Sequence, residues 1–223
     1  MTVQDPVDQH LAELARALHG PARVRRSMLR EARDGLHDAV AAHRTYGLAP
    51  REAAVRAVRE FGAVREIAPL YQHELVARQS RWAALLLLVA FPGMTFGWDL
   101  LWRNGVGWDT SPPPTLVVAL ARLQDTASFL VAAVAVVLLA VTFLRAAPTR
   151  QVAVLAGLTG VTGAVVCGGT GVVMNLVNGP ATAAMLVTKP FALPAFMVSA
   201  LVCALVVRSA VRTLRVAATR VVD

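Results

Sequence analysis

The chain of 223 residues is 56% hydrophobic and only 16% charged, with a mean hydropathy of +0.56. This composition excludes an ordinary soluble domain, because too few polar side chains are available to cover an aqueous surface. The net charge of +8 does not indicate nucleic-acid binding. Acidic residues are interspersed among the basic ones in residues 1–81, and the remaining basic excess lies mostly at the ends of apolar segments.

Residues 5–46 predict two helices. Asp5-Pro6 supplies an N-cap and a suitable first helical position, and leucines follow at helical spacing until Gly20-Pro21 ends the segment. A second apolar pattern keeps a 3.6-residue period over residues 24–46, after which Gly47 provides a left-handed helix end.

Residues 50–75 continue the helical pattern toward the first long apolar segment. Pro50 restarts a helix that ends at Gly62, and a further helical stretch contains Pro69, where we expect a kink. Short loops between such helices predict a compact antiparallel bundle over residues 1–80. No signal peptide is expected, because the first apolar run of sufficient length begins near residue 82.

Four motifs in this bundle form a distinctive order: a helix that opens with basic, apolar and acidic residues, a glycine turn, a helix that begins Glu-Ala-Ala, and a terminal Phe-Gly. In this layout, residues 8–75 resemble the HAAS-type (permease prefix) domain. The motifs are Arg26-Ser27-Met28-Leu29-Arg30-Glu31, Asp34-Gly35-Leu36-His37-Asp38-Ala39, Gly47-Leu48-Ala49-Pro50-Arg51-Glu52-Ala53-Ala54 and Ala57-Val58-Arg59-Glu60-Phe61-Gly62.

The resemblance implies a protein-interaction module fused to membrane helices, because such domains are often encoded beside PadR-like repressors or ABC-type permeases. Five charged residues of these motifs are the candidates for partner binding. They are Glu31, Asp34 and Asp38, which form an acidic edge on one helix, together with Arg51 and Glu52. The alternative is that these side chains are only the solvated surface of the bundle.

Asp34, His37 and Asp38 are a candidate metal site, because they are neighbours at i, i+3 and i+4 of one helix. A stable site needs three or four ligands held by further hydrogen bonds. Neither an HExxH motif nor a pair of cysteines accompanies these residues, since Cys167 and Cys203 both lie in apolar segments. We therefore expect no metal and no cofactor.

Four later segments are apolar and long enough to cross a membrane. Their expected limits are 82–102, 126–144, 152–176 and 190–207, with Pro92-Gly93 kinking the first and residues 181–188 at the interface. The predicted fold is all-α: a small cytosolic helical bundle over residues 1–80, a four-helix transmembrane domain over 81–210 and a basic cytosolic tail over 211–223.

Charges and tryptophans gather where the first span ends and the second begins. Asp99 can meet Arg103 at i+4, and Arg122 can meet Asp125 at i+3. With Trp98, Trp102 and Trp108, these four charges form a candidate outer-leaflet pocket for an amphiphile. The alternative is that they are interfacial anchors, since exposed ion pairs contribute little to stability.

Small residues line one face of the third span. Gly160, Ala164 and Gly168 recur at four-residue spacing, which in lipid lets helix backbones approach closely. We expect this face to pack against another span or against a second copy of the chain. The Gly-Gly-Thr-Gly at 168–171 is not a phosphate loop, because it lacks the lysine and the preceding strand that such a loop needs.

Basic residues predict the orientation of the spans. With four crossings, the bundle, the turn at 145–150 and the arginines at 208–220 all fall on one side. We therefore expect a multi-pass protein of the bacterial cytoplasmic membrane with both termini in the cytosol.

The sequence contains no Ser-His-Asp set, no carboxylate pair within a span and no CxxC motif, so we expect no enzyme activity. The leading hypothesis is a membrane-anchored regulatory protein whose head binds a cytosolic partner, a PadR-like repressor. The alternative is an accessory or permease-like subunit of an ABC-type transport system, with an ATPase as partner. Membrane lipid is the other expected partner, and direct nucleic-acid contact is not expected.

Overall fold

The structure, a computed structural model, describes residues 5–104, 114–144 and 149–218, except for the side chains of 102–104. In these ranges the chain forms eight helices and no strand, which confirms the predicted all-α fold. The helices are α1 (Pro6–Ala17), α2 (Ala22–Thr45), α3 (Pro50–Phe61), α4 (Val64–Asn104), α5 (Thr115–Phe143), α6 (Thr149–Val177), α7 (Gly179–Thr188) and α8 (Ala192–Ala218).

The chain divides into two compact units. Of the described residues, the head comprises 5–78 and 215–218, and the membrane unit comprises 79–104, 114–144 and 149–214. Helices α4 and α8 therefore contribute residues to both units. The predicted boundaries at residues 80 and 210 both fall inside these helices.

The head has a hydrophobic core of its own. Leu11 and Leu14 of α1, Leu36 of α2 and Ala54 and Ala57 of α3 are all buried in one cluster. Their helical spacing puts one apolar stripe on each helix, and burying these stripes against one another drives the bundle together. At the start of α1, the Asp5 carboxylate accepts a hydrogen bond from the backbone N–H of Val7 at 3.0 Å.

A buried glutamine fixes the connection between α1 and α2. The Gln72 side chain in α4 accepts a hydrogen bond from the backbone N–H of His19 at 3.0 Å and donates one to the His19 carbonyl at 2.8 Å. The Gln72 amide thus satisfies both backbone groups of His19, as the backbone of a neighbouring β-strand would. Because Gln72 is buried, these two bonds satisfy polar groups that would otherwise be costly to desolvate.

Four helices in the described part of the chain are long and apolar enough to cross a membrane, and they are the long helices α4, α5, α6 and α8. The chain is a multi-pass membrane protein by this criterion. Its apolar interior brings together Leu87 and Phe91 of α4, Val131 of α5, Ala164 of α6 and Val206 of α8. Many other large apolar side chains of these helices remain exposed, as lipid-facing residues must be.

Helix α4 continues without interruption past Pro69 and Pro92. The kinks predicted at these two prolines stay predictions, because a continuous helix can still bend. Each proline removes one backbone hydrogen bond to the residue four positions earlier. Near Pro69 the freed carbonyl belongs to the exposed Arg65, so water can satisfy it. Prolines within membrane-spanning helices are tolerated because local adjustments and neighbouring groups satisfy the freed carbonyl.

Candidate functional site

The acidic edge of the head is exposed on one face of α2. Glu31, Asp34 and Asp38 all face solvent. The Glu31 carboxylate accepts a hydrogen bond from Ser27 Oγ at 3.2 Å and lies 3.7 Å from the Arg78 guanidinium. Neither Asp34 nor Asp38 forms an ion pair with any residue that the structure describes.

The other two predicted partner-binding residues occupy a different helix. Arg51 and Glu52 are exposed in the first turn of α3, where Glu52 complements the positive end of the helix dipole. The structure therefore places three of the five residues on one face of α2 and two at the start of α3.

A polar network joins α2 to α3, and no pattern in the sequence predicted it. The Glu60 carboxylate accepts a hydrogen bond from Arg56 at 3.0 Å and pairs with the His43 ring at 2.9 Å. Both hydrogen bonds lower the pKa of Glu60 from its ordinary value, and the bond from Arg56 has the larger effect. The i, i+4 spacing of Arg56 and Glu60 could have indicated half of this network, whereas the contact with His43 depends on the tertiary fold.

The positions of the described side chains do not support a metal site. No group of three or more His, Cys, Asp or Glu residues that could hold a metal ion occurs within residues 5–104, 114–144 and 149–218. Asp34, His37 and Asp38 are all exposed on α2. Two carboxylates and one imidazole from a single helix face do not enclose a cation.

The predicted outer pocket is only partly within the described residues. Trp98 donates a hydrogen bond from Nε1 to Ser199 Oγ at 3.1 Å, and its ring lies 5.1 Å from that of Phe196. Trp98 is thus held against α8. Arg122 and Asp125 are both exposed on α5, while Asp99 is half-buried on α4. The predicted pocket also includes Trp108 and the side chains of Trp102 and Arg103, which lie outside the described part of the chain.

A second polar feature of the membrane unit, here called the polar seam, comprises Gln124, Thr170, Asn175 and Thr182. The Thr170 hydroxyl donates a hydrogen bond to Gln124 Oε1 at 3.1 Å, which joins α6 to α5. The Thr182 hydroxyl of α7 donates to Asn175 Oδ1 at 3.1 Å. The sequence reasoning did not select these residues, although they are polar side chains near the ends of apolar helices.

The chemistry available to the polar seam is limited to hydrogen bonding. Gln124, Thr170 and Asn175 do not ionise near neutral pH, so they provide neither a general acid nor a general base. Within apolar surroundings such groups can orient a polar headgroup or hold two helices together. The seam is therefore a recognition or packing feature.

The small-residue face of α6 lies at close helix contacts. A Cβ atom built on Gly160 would lie 3.0 Å from Ala210 Cβ of α8, and one built on Gly168 would lie 3.6 Å from Cys203 Sγ. Ala164 belongs to the apolar interior of the membrane unit. The absence of side chains at Gly160 and Gly168 thus leaves space that α8 occupies.

Comparison of the chain with protein-family models, with curated proteins and with solved structures finds no match.

Proposed function

We propose that this protein is a membrane-anchored regulatory protein whose cytosolic head binds a partner protein through the acidic edge of α2. The observation that carries the proposal is the exposure of Asp34 and Asp38, which form no ion pair within the described chain. Like charges at i and i+4 of a helix are slightly destabilising. Two exposed carboxylates without an ion-pair partner in the described chain are well suited to contact a basic surface on another molecule.

The architecture supports this proposal because the head has its own apolar core. Leu14 and Leu36 are completely buried there, so the core does not depend on surface charges. Charged residues on the surface of such a bundle can therefore bind a partner without altering the fold. A compact helical unit in the same chain as membrane-spanning helices is suited to holding a soluble partner at the membrane.

The resemblance of residues 8–75 to HAAS-type domains supports a PadR-like repressor as the partner. Binding would keep the repressor at the membrane and away from its operator, and release would restore repression. The experiment is capture of the partner from detergent-solubilised bacterial membranes, using the full chain. Asp34→Asn combined with Asp38→Asn should lower recovery of the repressor at least tenfold.

A matched control removes two acids elsewhere in the head. Glu13→Gln combined with Glu66→Gln changes the net charge by the same amount and leaves the acidic edge intact. This variant should retain the partner at the wild-type level. Equal recovery by wild type, edge variant and control would reject the acidic edge as the binding surface.

The proposed orientation places both termini in the cytosol, and it rests on the distribution of arginines. Cysteine labelling from outside intact cells tests it in a chain with Cys167→Ala and Cys203→Ala. A cysteine introduced at Thr110 should react with a membrane-impermeant maleimide, whereas cysteines at Thr149 or Thr219 should not. The reverse pattern would overturn the orientation.

A second candidate is an accessory or permease-like subunit of an ABC-type transport system. The observation that favours it is the hydrogen bond between Gln124 and Thr170, because polar side chains within spans are frequently used to bind a transported solute. Capture of an ATPase instead of a repressor would support this candidate. Gln124→Leu should then alter accumulation of a fluorescent amphiphile in cells, while Thr188→Val, an exposed change on α7, should not.

A further inference from the structure

One face of α8 changes from apolar to basic along its length. Met197, Leu201, Leu205, Arg208 and Arg212 follow at intervals of four, four, three and four residues, which puts them on one side of the helix. All five side chains are exposed, and Met197 and Leu201 expose 66% and 59% of their surfaces. We call this face the α8 stripe.

The opposite side of the same helix segment is buried. Val206, Ser209, Ala210 and Thr213 are all buried, so the α8 stripe points away from the interior of the membrane unit. Within the described part of the chain, neither Arg208 nor Arg212 forms an ion pair. Their positive charges are therefore not neutralised by a described carboxylate.

The spacing of the α8 stripe matches the two parts of a phospholipid. Leu205 and Arg208 are separated by about 4.5 Å along the helix axis, and Arg208 and Arg212 by about 6 Å. Arginine stems can lie along an apolar surface while their guanidinium groups reach the polar interface. The planar guanidinium also donates paired hydrogen bonds that fit phosphate oxygens.

We propose that Arg208 and Arg212 bind the headgroup phosphate of an anionic phospholipid whose acyl chains lie along Met197, Leu201 and Leu205. The unneutralised charge of the two arginines favours an anionic lipid over a zwitterionic one. The adjoining apolar residues favour a lipid over free phosphate, which has nothing to place against them. This site does not depend on what the head binds, so its failure would leave the proposed function intact.

The test is native mass spectrometry of the full, delipidated chain titrated with dioleoylphosphatidylglycerol or dioleoylphosphatidylcholine. Wild type should retain the anionic lipid preferentially. Arg208→Gln combined with Arg212→Gln should weaken its binding about thirtyfold at low ionic strength, because each arginine near an anionic surface contributes about 1 kcal/mol. Binding of the zwitterionic lipid should change much less.

A control pair of the same spacing occurs in the head. Arg26→Gln combined with Arg30→Gln removes two exposed arginines, also four residues apart on one helix, and should leave lipid binding unchanged. Arg208→Lys combined with Arg212→Lys keeps the charge and should retain binding within about threefold. Equal loss in the head control and the α8 variant would overturn the proposal.

Two measurements on the wild-type chain test the proposal even where the Gln variant does not fold. Raising the NaCl concentration from 50 to 500 mM should reduce the preference for the anionic lipid, since salt screens the arginine charges. Inorganic phosphate at the lipid concentration should neither bind detectably nor displace the lipid. A salt-independent preference, or phosphate binding as tight as lipid binding, would exclude the site as described.

Discussion

The side-chain amide of Gln79 in α4 donates a hydrogen bond of 3.1 Å to the Thr213 hydroxyl in α8, although the two residues are 134 positions apart. Both side chains are buried in the membrane unit. The Thr213 hydroxyl in turn donates to the Ser209 carbonyl at 2.8 Å. Because a hydrogen bond requires one particular alignment of donor and acceptor, this pair fixes the axial register of α4 against α8 at this end.

Replacing Thr213 by Val should destabilise the membrane unit, because the Gln79 amide then loses its hydrogen-bond partner in a buried position. We expect a loss of about 1–3 kcal/mol in the free energy of unfolding, measured in detergent. The double variant Gln79→Leu, Thr213→Val should be less destabilised than the sum of the single variants. Thr188→Val, an exposed change, is the control, and additive effects of the two buried substitutions would contradict the coupling.

The packing around α6 predicts that alanine substitutions at two of its glycines have different effects on stability. A Cβ atom at Gly163 would lie 2.7 Å from Phe91 Cζ and 2.9 Å from Val131 Cγ2, so Gly163→Ala forces these side chains to move. Overpacking of this kind costs about 1–3 kcal/mol. At Gly169 nothing lies within 4 Å of such an atom, so Gly169→Ala should be neutral or slightly stabilising. Thermal denaturation in one detergent compares them, and equal melting temperatures would contradict the packing.

The head should lose stability in mild acid because of His10. This side chain is buried with its ring 5.8 Å from that of Phe61, and its Nε2 has no hydrogen-bond partner among the described residues. Burial lowers the pKa of His10 from 6.5, although the charge of Glu13 opposes the shift. The unfolded head therefore binds more protons than the folded head below about pH 6.5, and folding weakens as the pH falls.

Hydrogen exchange of the α1 amides in the full chain measures this effect between pH 7.5 and pH 5.5, after correction for intrinsic exchange rates. Protection should decrease toward pH 5.5 in wild type and should be nearly constant in His10→Leu. His37→Gln removes an exposed histidine from α2 and should behave as wild type. A wild-type pH dependence that persists in His10→Leu would show that another group is responsible.

The helices of the head could be predicted from the sequence because prolines and glycines mark where they begin and end. Pro50 begins α3, and Gly47 and Gly62 adopt positive φ angles of 89° and 103° immediately after helices. A proline does not end every helix, however, because Pro92 lies within α4 and removes one hydrogen bond while the helix continues to Asn104.

The polar contacts of the membrane unit could not be predicted from the sequence. The hydrogen bond between Thr170 and Gln124 joins residues 46 positions apart, and that between Gln79 and Thr213 joins residues separated by most of the membrane unit. Helical periodicity assigns a residue to a face of its own helix. It does not say which face of another helix lies opposite, or at what height, and both are needed to pair a donor with an acceptor.

Trp98 provides a test of how the C-terminal part of α4 is attached to α8. Its indole N–H donates to Ser199 Oγ at 3.1 Å, while the Ser199 hydroxyl donates to the Ala195 carbonyl at 2.8 Å. Trp98→Phe removes the indole donor but retains a ring that can pack against Phe196. Since Ser199 keeps its bond to Ala195, only one interhelical hydrogen bond is lost. We expect a loss of about 0.6 kcal/mol, the average for such bonds in membrane proteins.

Trp98→Ala should be considerably more destabilising than Trp98→Phe, because it also removes the aromatic contact with Phe196, whose ring lies 5.1 Å away. The control is Trp82→Phe, since Trp82 exposes 63% of its surface. Free energies of unfolding in one detergent should rank Trp82→Phe nearest to wild type, then Trp98→Phe, then Trp98→Ala. If Trp98→Ala is as stable as Trp82→Phe, the indole does not attach α4 to α8. The C-terminal part of α4 would then be held by its contacts with α5, among them the hydrogen bond of 3.0 Å from the Thr95 hydroxyl to Ser128 Oγ.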